Sequence, residues 1–314
     1  MSVRAEAGRD EFERLVAPHR AELRAHCYRM LGSVQDADDA LQEALLGAWR
    51  GFAGFEGRSS VRAWLYKIAT NACLQLSAQR RGRHLPAELR AASDPGVELE
   101  RRIEGPLWLE PYPDDPAASF EQREQVELAF VAALQYLPAT QRAALLAREV
   151  LGFAAGEVAE LLDTSPASVE SALQRARQSL AARLPTASQQ ATLRDLGEAR
   201  QRDLVERYIG AWHDRDVAAL TALLTEDVRF DMPPLPGWFS GRDDVARFFG
   251  ERVFSLVWEL RPTRASGQLA FACYAEPDFR TGALNVITLR ADRISAITGF
   301  LDPAVHAKFT QSAR

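Results

Sequence analysis

Residues 137–177 read LPATQRAALLAREVLGFAAGEVAELLDTSPASVESALQRAR, and this stretch decides how the central part of the chain folds. A proline follows its first leucine and Gly152 interrupts its middle, so the apolar pattern divides into short helical segments. Ser165 is suited to cap the last segment, with Pro166 at the first helical position, where a missing N–H costs nothing. The pattern predicts four short helices over residues 121–184, the last two forming a helix-turn-helix.

The last helix of this motif carries few basic residues for an element that reads DNA. From Ser165 to Arg177 only Arg175 and Arg177 are basic, and Glu170 is acidic. The whole chain has a net charge of −5, but the acid is concentrated in one segment. Residues 85–120 hold three Lys or Arg and eight Asp or Glu, so the overall charge is a poor argument against nucleic-acid binding.

The composition is that of an ordinary soluble protein, with 314 residues of which 47% are hydrophobic and 26% charged. That length leaves room for two or three domains. No apolar run approaches the roughly 18 residues of a membrane span, and the N-terminus lacks the apolar core of a signal peptide. Cys27, Cys73 and Cys273 are far apart with no CxxC pair, so we expect neither disulfides nor a zinc site, and a cytoplasmic location.

Three helical segments are predicted before the helix-turn-helix region. Apolar residues recur at helical spacing over residues 12–31 and again over 37–49. A glycine-rich loop, residues 51–60, presents two phenylalanines and ends in serines suited to cap a third helix over 61–76. That helix runs into QRRGRH (79–84), the only dense basic cluster of the sequence.

The last third of the chain changes character. Residues 185–197 are typical of a linker or a weak helix extension, and residues 198–310 combine helices with later runs typical of β-strands. The last two runs are separated by Ala291-Asp292, which suits a two-residue hairpin connection. We therefore expect an α+β domain with its helices first, preceded by two all-α domains.

Three segments, in order, resemble the extracytoplasmic-function group of sigma-70 factors, the promoter-specificity subunits of bacterial RNA polymerase. DADDALQEALLGAWRGF (36–52) is similar to that family's region 2.2, and SSVRAWLYKIATNACLQLSAQRR (59–81) to its regions 2.3 and 2.4. Residues 137–177 resemble its region 4. The implied order is a region 2 domain, an acidic linker and a region 4 domain, over residues 10–84, 85–120 and 121–184.

The helix that contains the region 2.2 segment is predicted to have an acidic and amide-bearing face. Four of its residues lie at positions i, i+3, i+6 and i+7, roughly on one side of a helix. Such a face suits docking to a basic coiled coil, and the resemblance implies the clamp helices of the polymerase β′ subunit, with the β flap as a further partner. The alternative is a solvated helix face. The candidate polymerase contacts are Asp36, Asp39, Gln42 and Glu43.

Aromatic and polar residues around the loop 51–60 are candidates for capturing an unstacked base. Opening a duplex requires aromatic faces and a polar pocket, and stacking contributes roughly 1–3 kcal/mol per base. In the family, this loop and the following helix bind the −10 promoter element as a single strand, whereas Trp64 lies on the apolar stripe and is expected in the core. By position, the resemblance implies −10 contacts from Phe55, Arg62, Lys67, Asn71, Arg80 and Arg81.

The last helix of the helix-turn-helix departs from the family pattern, which has basic residues where this sequence has Glu170 and Ala172. Each lost phosphate contact weakens DNA binding and flattens its salt dependence. We expect weak binding of the −35 promoter element by this helix alone, compensated by the effective concentration that the polymerase provides. The candidate −35 contacts are Ser165, Ser168, Ser171, Gln174, Arg175 and Arg177.

The acidic linker has two interpretations beyond a solvated tether. The resemblance implies that it threads the RNA exit path of the polymerase, where its negative charge mimics nucleic acid. Its segment WLEPYPDDP (108–116) is unusually apolar and rigid for a tether, since residues 104–116 contain four prolines. That composition favours docking of the segment on another domain of this chain.

Residues 198–310 resemble the SnoaL-like branch of the nuclear-transport-factor-2 fold, a cone of α+β structure with an apolar pocket. The matching stretches are YIGAWHDRDVAALTALLTEDVRFDMPP and FSGRDDVARFF, followed by strands. Relatives include cyclases and isomerases that use a pocket Asp or His, for which Asp231, His213 and Asp278 are the candidates, although the sequence shows no pairing. The candidate lining of a pocket for a small apolar ligand, which could equally be core, is Trp212, Phe230, Met232, Trp238 and Tyr274.

The leading interpretation is an alternative sigma factor that binds core RNA polymerase, recognises −35 and −10 promoter elements and promotes transcription initiation. The C-terminal domain is implied to modulate that activity in cis. Two alternatives stay open: a SnoaL-type cyclase or isomerase fused to a DNA-binding module, and a ligand-responsive repressor that uses the helix-turn-helix alone. The leading interpretation needs no catalytic residue, metal or cofactor.

Overall fold

Helices α1 to α4 occupy the first part of the chain in the computed structural model, which describes residues 3–57, 59–79, 82–103, 107–114, 119–279 and 282–310. They are α1 (Val3–Val16), α2 (Arg20–Leu31), α3 (Val34–Gly51) and α4 (Val61–Gln79). The single helix predicted over 12–31 is divided by a 3-10 turn, where Pro18 lacks the N–H that a continuous helix needs. Ser33 caps α3 and Ser60 caps α4, each accepting a backbone N–H three residues later, at 3.2 and 3.1 Å.

Two short linker helices and the helix-turn-helix region follow. Their helices are α5 (Pro86–Leu89), α6 (Phe120–Glu124), α7 (Leu128–Gln135), α8 (Ala139–Leu145), α9 (Ala155–Leu161) and α10 (Pro166–Ala181). One π-turn, Leu146–Val150, extends α8, and α9 and α10 form the predicted helix-turn-helix. Ser165 caps α10 as predicted, since its hydroxyl accepts the Ser168 N–H at 3.2 Å. The buried stripe that packs α10 on α8 comprises Val169, Leu173, Ala176 and Leu180.

The last third of the chain combines helices with a six-stranded sheet. The helices are α11 (Gln189–Leu196), α12 (Glu198–His213), α13 (Val217–Ala222), α14 (Arg242–Glu251) and α15 (Pro303–Thr310). The strands are β1 (Leu224–Asp231), β2 (Trp238–Ser240), β3 (Trp258–Ala265), β4 (Gln268–Ala275), β5 (Gly282–Arg290) and β6 (Arg293–Phe300). The strand order is β2-β1-β6-β5-β4-β3, with β1 and β6 parallel and the other neighbours antiparallel. The predicted hairpin at Ala291-Asp292 is confirmed, because Arg290 pairs with Arg293 across it.

Aromatic side chains fill the space between one face of this sheet and the helices. Tyr208 of α12 stacks on Phe271 of β4, with ring centroids 4.5 Å apart. Trp212, also on α12, lies edge-on to Phe249 and Trp258 at 5.3 and 5.5 Å. Large aromatics dominate core energetics because each removes roughly 150–250 Å² from water. This face of the sheet is therefore a packed core.

The described residues group into two compact units, and neither unit is continuous along the chain. The first unit is Met1–Arg83 with Ala129–Leu184, and the second is His84–Leu128 with Pro185–Arg314. The acidic segment 85–120 thus belongs with the α+β domain, as does α11, which buries Leu193 in the stretch predicted as a second linker. Within the described ranges no helix has the length and apolar character needed to cross a membrane.

Candidate functional site

Three of the four predicted polymerase contacts form an exposed face on α3. Asp39, Gln42 and Glu43 are all exposed. Asp36 lies at the start of the same helix but is only 4% exposed, because it forms a buried ion pair with Arg83. The N-terminus of a helix and a guanidinium both stabilise a carboxylate, so Asp36 is held inside and is not brought to this face.

An apolar groove runs beside the exposed face of α3. It has a volume of about 630 Å³, and its lining combines Gln42 with Leu41 and Leu45. Leu46 and Trp49 also line it and are 40% and 42% exposed. The groove was not predicted from the sequence, although Leu46 and Trp49 fall outside the buried alanine stripe of α3. A partner helix that meets the acidic face would therefore also find apolar contacts there.

One aromatic pair lies where the glycine-rich loop meets α4. The rings of Phe55 and Trp64 are 4.6 Å apart between centroids, and both side chains are half-buried. Asn71 lies two turns further along the same face of α4 as Trp64. Trp64 is therefore only partly in the core that was expected for it. Arg80 and Arg81, also predicted as −10 contacts, lie outside the described residues.

Arg62, a predicted −10 contact, is engaged by groups on both sides of it. It donates to Glu22 Oε2 at 3.3 Å and to the Leu151 carbonyl at 3.2 Å. Its guanidinium also lies 5.0 Å from the ring centroid of Phe153. Leu151 and Phe153 flank the turn that precedes the helix-turn-helix, so region 4 covers this cation.

Lys67, five residues further along α4, is bound by the helix-turn-helix itself. Its Nζ donates to the Glu160 carbonyl at 2.8 Å and to Asp163 Oδ1 at 2.6 Å. Glu160 lies near the end of α9, and Asp163 lies in the turn before α10. Asp163 was not among the predicted functional residues, since only the fold brings it to Lys67.

A buried polar cluster lies beneath these cations, between α2 and α4. His26 Nε2 lies 3.0 Å from Thr70 Oγ1, and burial together with the Arg29 charge lowers the pKa of His26 to about 3. Tyr66 donates to Glu22 at 3.2 Å, and burial raises the pKa of its hydroxyl well above the usual range. His26 and Tyr66 therefore stay neutral at physiological pH, so these two groups hold α4 on α2 without acting as a proton switch.

The six predicted −35 contacts all lie in solvent on α10 or at its cap: Ser165, Ser168, Ser171, Gln174, Arg175 and Arg177. Ser165 is occupied as the helix cap, and its hydroxyl lies 2.9 Å from that of Ser168. Arg177 forms an ion pair with Glu149 of the π-turn, which orients the guanidinium and offsets its charge. Glu149 was not predicted, because it is distant in sequence and meets Arg177 only in the folded motif.

Among the described residues, the linker is bound to the α+β domain at several places, including Ile103, whose N–H donates to the Pro234 carbonyl at 3.0 Å. Three places have the most bonds, and the first of these lies around α5. Ala87 N–H donates to Asp231 Oδ1 at 2.9 Å, at the end of β1. Ser93 N–H donates to the Trp238 carbonyl at 2.7 Å, and Trp238 Nε1 donates to the Arg90 carbonyl at 2.9 Å. The linker backbone is therefore paired on this edge of the sheet.

The second place is the turn between β3 and β4. Tyr112 N–H donates to Ser266 Oγ at 2.9 Å, and Ser266 N–H returns a bond to the Tyr112 carbonyl at 2.7 Å. Gly267 N–H donates to Asp114 Oδ1 at 2.7 Å. Gly267 has φ +70°, and a Cβ there would lie 2.7 Å from the Arg123 carbonyl, so only glycine fits both the turn and the linker. The described part of WLEPYPDDP, residues 108–114, therefore docks on the α+β domain, as its apolar and proline-rich composition favours.

The third place is the end of the linker, which in the structure extends past the predicted bound at residue 120 to Leu128. Here a carboxyl group binds the N-terminus of α11. Glu127 accepts the N–H groups of Gln189 and Gln190 at 2.9 and 2.8 Å. Leu128 N–H donates to the buried Gln268 Oε1 at 3.1 Å. Acceptors at a helix N-terminus satisfy N–H groups that have no partner within the helix.

Burial raises the pKa of the three carboxyl groups that hold the linker. The pKa of Asp231 is raised to about 6 by desolvation, against the opposing effect of the Ala87 N–H. The pKa of Glu127 is raised to about 7 by desolvation, although two N–H groups oppose the shift. The pKa of Asp114 is raised in the same way. Docking of the linker is therefore linked to proton binding.

Three of the predicted ligand-pocket residues belong to the aromatic core. Trp212, Phe230 and Met232 are at most 5% exposed and belong to the same buried cluster. Trp212 and Phe230 both contact Phe249, with ring centroids 5.3 and 4.9 Å away. Their packing matches the second of the two interpretations, in which these residues form the core of the domain and do not line a pocket.

Tyr274 and Trp238 are not brought to that cluster. Tyr274 packs on His306 of α15, with ring centroids 5.0 Å apart, whereas Phe271 and Cys273 of the same strand face the core. The reason is that successive side chains of a strand point to opposite faces of the sheet. Trp238 is half-buried and bonded to the linker at Arg90. The five residues therefore do not line one common pocket.

The three candidate acid–base residues of this domain occupy different environments. His213 is 81% exposed at the end of α12, with Nδ1 3.0 Å from Asp214. Asp278 is exposed in the turn between β4 and β5. Asp231 is enclosed, but its carboxylate accepts the linker N–H of Ala87. No enclosed site holds more than one of the three.

Known families match three parts of the chain. They are Sigma-70 region 2 over residues 15–83, Sigma-70 region 4 over 127–180 and a SnoaL-like domain over 205–298.

One curated relative extends the match over nearly the whole chain, and a second covers about half of it. The ECF RNA polymerase sigma factor SigG of Mycobacterium tuberculosis (strain H37Rv) is 41% identical over 97% of this chain and 85% of its own. The ECF RNA polymerase sigma factor SigM of the same strain is 31% identical over 54% of this chain and 75% of its own. The first match spans both sigma regions and the C-terminal domain.

A solved structure shares the fold at lower identity. The crystal structure of the M. tuberculosis extracytoplasmic function sigma factor SigJ matches with a TM-score of 0.60 and 23% identity, covering 95% of this chain and 98% of its own. The fold class predicted from the sequence is thereby confirmed: two helical sigma domains and a SnoaL-like α+β domain. The chain belongs to the extracytoplasmic-function family of RNA polymerase sigma factors, whose members act with RNA polymerase at promoter DNA.

Proposed function

We propose that this sigma factor docks on core RNA polymerase through the exposed face of α3 and the groove beside it. Asp39, Gln42 and Glu43 supply negative and amide groups, and Leu46 and Trp49 supply apolar area. That combination suits a basic coiled coil, which fits the clamp helices of β′ as partner. Region 4 then carries the −35 contacts on α10 and meets the β flap, while the Phe55–Trp64 pair and α4 capture the −10 strand.

The C-terminal domain modulates this activity in cis by holding the linker. The single observation that carries this part is the pairing of linker backbone with the domain at Ala87, Tyr112 and Leu128. Residues 84–128 could span on the order of 150 Å if fully extended. Held at three places along its length, the linker cannot extend between promoter-bound region 2 and region 4, or thread a channel of the polymerase. The bound linker therefore corresponds to a resting state.

The two alternative functions fit less well. A repressor that uses the helix-turn-helix alone has no need of the region 2 match or of the exposed face of α3. A cyclase or isomerase needs a substrate cavity with its acid or base free, whereas Asp231 is bound by the linker and Trp212 packs in the core. The SnoaL-like domain thus serves regulation and not chemistry.

The test is run-off transcription with sigma-free core polymerase and candidate promoters. The full chain is compared with the variant Asp114→Ala/Asp231→Ala, which removes two carboxyl groups that hold the linker. We expect several-fold more transcript from the variant, because the linker is released more often. The control Asp195→Ala/Asp292→Ala removes the same charge from exposed positions and should resemble the wild type.

Two outcomes would contradict different parts of the proposal. Transcript from none of the proteins refutes the assigned sigma activity. Equal transcript from the wild type, the variant and the control retains that activity but refutes modulation through the linker.

A further inference from the structure

Region 4 supplies region 2 with contacts of the kind that a nucleic-acid strand would supply. Lys67 meets one carboxylate oxygen of Asp163 and one carbonyl oxygen of Glu160, at 2.6 and 2.8 Å. Arg62 meets the Leu151 carbonyl and the aromatic ring of Phe153. One of these oxygens is a carboxylate oxygen and two are neutral carbonyl oxygens. Phosphate oxygens, base carbonyls and the flat ring of an unstacked base offer a cation the same kinds of contact.

The same contacts cannot persist when both promoter elements are bound. Elements named −35 and −10 are about 25 nucleotides apart, which is roughly 85 Å along a DNA duplex. The helix α10 is about 24 Å long at 1.5 Å per residue, and it begins three residues after Asp163. A region 4 that is hydrogen-bonded to α4 through Asp163 therefore cannot hold α10 at the −35 element while α4 holds the −10 strand.

We propose that the end of α9 and the following turn act as an internal competitor for the −10 strand, occupying Arg62 and Lys67 until promoter DNA displaces them. We call this set of contacts the clasp: Arg62 with Leu151 and Phe153, and Lys67 with Glu160 and Asp163. The proposal rests on the assignment of Arg62 and Lys67 to the −10 site. It adds a second layer of control, located within the DNA-binding regions and separate from the hold on the linker.

The clasp is built to be reversible. The side chains of Lys67 and Asp163 are 40% and 72% exposed, so water and salt screen their attraction. A pair of this kind contributes little stability, which suits a contact that a polyanion must displace. The buried partners of region 4 do not depend on it, since α10 packs on α8 through its own apolar stripe.

Asp163→Asn is the sharpest variant because it removes one charge without disturbing the turn. Asp163 has φ +50°, in the left-handed region that Asn adopts more readily than most residues. Asn also keeps the size of the side chain and one acceptor oxygen. The matched control is Asp292→Asn, an exposed acid in the β5–β6 turn of the other unit.

The first measurement is hydrogen exchange of the full-length protein without polymerase, for peptides over residues 61–70 and 151–163. We expect about threefold faster exchange in Asp163→Asn, and the same acceleration in the wild type when salt is raised from 0.05 to about 0.5 M. The control should show neither change relative to the wild type at low salt. Unchanged exchange in Asp163→Asn would overturn the clasp.

The second measurement is run-off transcription with core polymerase at limiting promoter DNA. We expect about threefold more transcript from Asp163→Asn than from the wild type or the control. Faster exchange with equal or lower transcript would overturn the competition with the −10 strand. Absence of transcript from every protein would refute the proposed sigma activity instead, and the exchange result would still decide whether the clasp exists.

Discussion

The two units use opposite chemistry for their internal contacts. The first unit holds region 4 on region 2, and the second holds the linker on the α+β domain. In the first unit, cations reach backbone carbonyls: Arg62 binds Leu151, Lys67 binds Glu160, and Arg142 binds Met30 across the two sigma regions. In the second unit, carboxyl groups accept backbone N–H groups at Asp231, Asp114 and Glu127. Burial raises the pKa of all three carboxyl groups in the second set, to about 6 for Asp231 and about 7 for Glu127.

This difference assigns different triggers to the two holds. The contacts of Arg62 and Lys67, whose side chains are 36% and 40% exposed, respond to salt and to polyanions, because screening and competing phosphates weaken them. Arg142 is buried and is not part of that response. Buried carboxyl groups on N–H donors respond to pH and to anything that hydrates them, because desolvation sets their pKa. A polymerase or promoter could therefore open the first hold while leaving the linker in place.

The largest expected effect is on the buried member of the cationic set. Arg142 is 5% exposed and donates to the carbonyls of Leu134 and Leu137 at 2.8 and 3.0 Å, as well as to Met30. Arg142→Met removes the guanidinium donor from all three carbonyls, although the Leu134 carbonyl keeps the Leu137 N–H at 3.0 Å. We therefore expect the free energy of unfolding of the first unit to fall by about 3 kcal/mol. Chemical denaturation followed by hydrogen exchange in the first unit measures this.

The control for that prediction is Arg175→Met, on the exposed face of α10. It should change stability by less than about 0.5 kcal/mol, as is usual for surface sites. If both variants lose the same free energy of unfolding, the hydrogen bonds of the buried Arg142 contribute no more than a surface cation does.

The second prediction concerns pH and the linker. Release of the linker hydrates Asp231, so its pKa returns from about 6 toward its ordinary value of about 4. Below pH 4 the group is protonated in both states. Between about pH 4 and pH 6 it ionises in the released state only, so docking weakens as the pH rises, by about 3 kcal/mol in total for this group. Glu127, whose pKa is about 7, extends the pH range over which docking weakens to higher pH.

Asp231→Asn isolates that contribution, since Asn keeps an acceptor for Ala87 but does not titrate. Exchange of the Ala87 amide, corrected for intrinsic rates, should accelerate between pH 4 and 6 in the wild type and much less in the variant. Arg229 is the charge that opposes the raised pKa of Asp231, and it is unchanged in both proteins. The control Asp216→Asn alters an exposed carboxyl that caps α13 by accepting the Ala219 N–H, so it should leave the wild-type profile intact. Identical profiles for all three proteins would remove pH as a trigger.

The smallest predicted effect compares two glycines that both have a positive φ. Gly267 and Gly152 have φ +70° and +75°, but only Gly267 faces the linker, at Arg123. Gly152→Ala should cost about 1 kcal/mol through the left-handed backbone alone. Gly267→Ala should cost about 1 kcal/mol more and expose the Leu128 amide, because the linker must shift. Equal costs, read from unfolding and from Leu128 exchange, would mean that the turn does not hold the linker.

Local chemistry explains why much of the architecture was predictable. The cap at Ser165, the hairpin at Ala291-Asp292 and the helix-turn-helix follow from short-range rules that hold wherever such residues occur. The face on α3 was predictable except for Asp36, because periodicity places residues on one side of a helix but does not reveal a partner such as Arg83. The sequence also indicated a ligand pocket in the α+β domain whose five candidate residues do not share one cavity, since composition does not distinguish the lining of a cavity from a filled core.

The sequence by itself determined the family, the order of the domains and the elements on which the polymerase and promoter contacts are proposed, because these depend on motifs and on helical or strand periodicity. Only the tertiary structure decided that Asp163 meets Lys67, that Glu149 meets Arg177 and that the linker pairs with the α+β domain. Such contacts join residues far apart in the chain, and their energies depend on burial and distance, which no local pattern encodes.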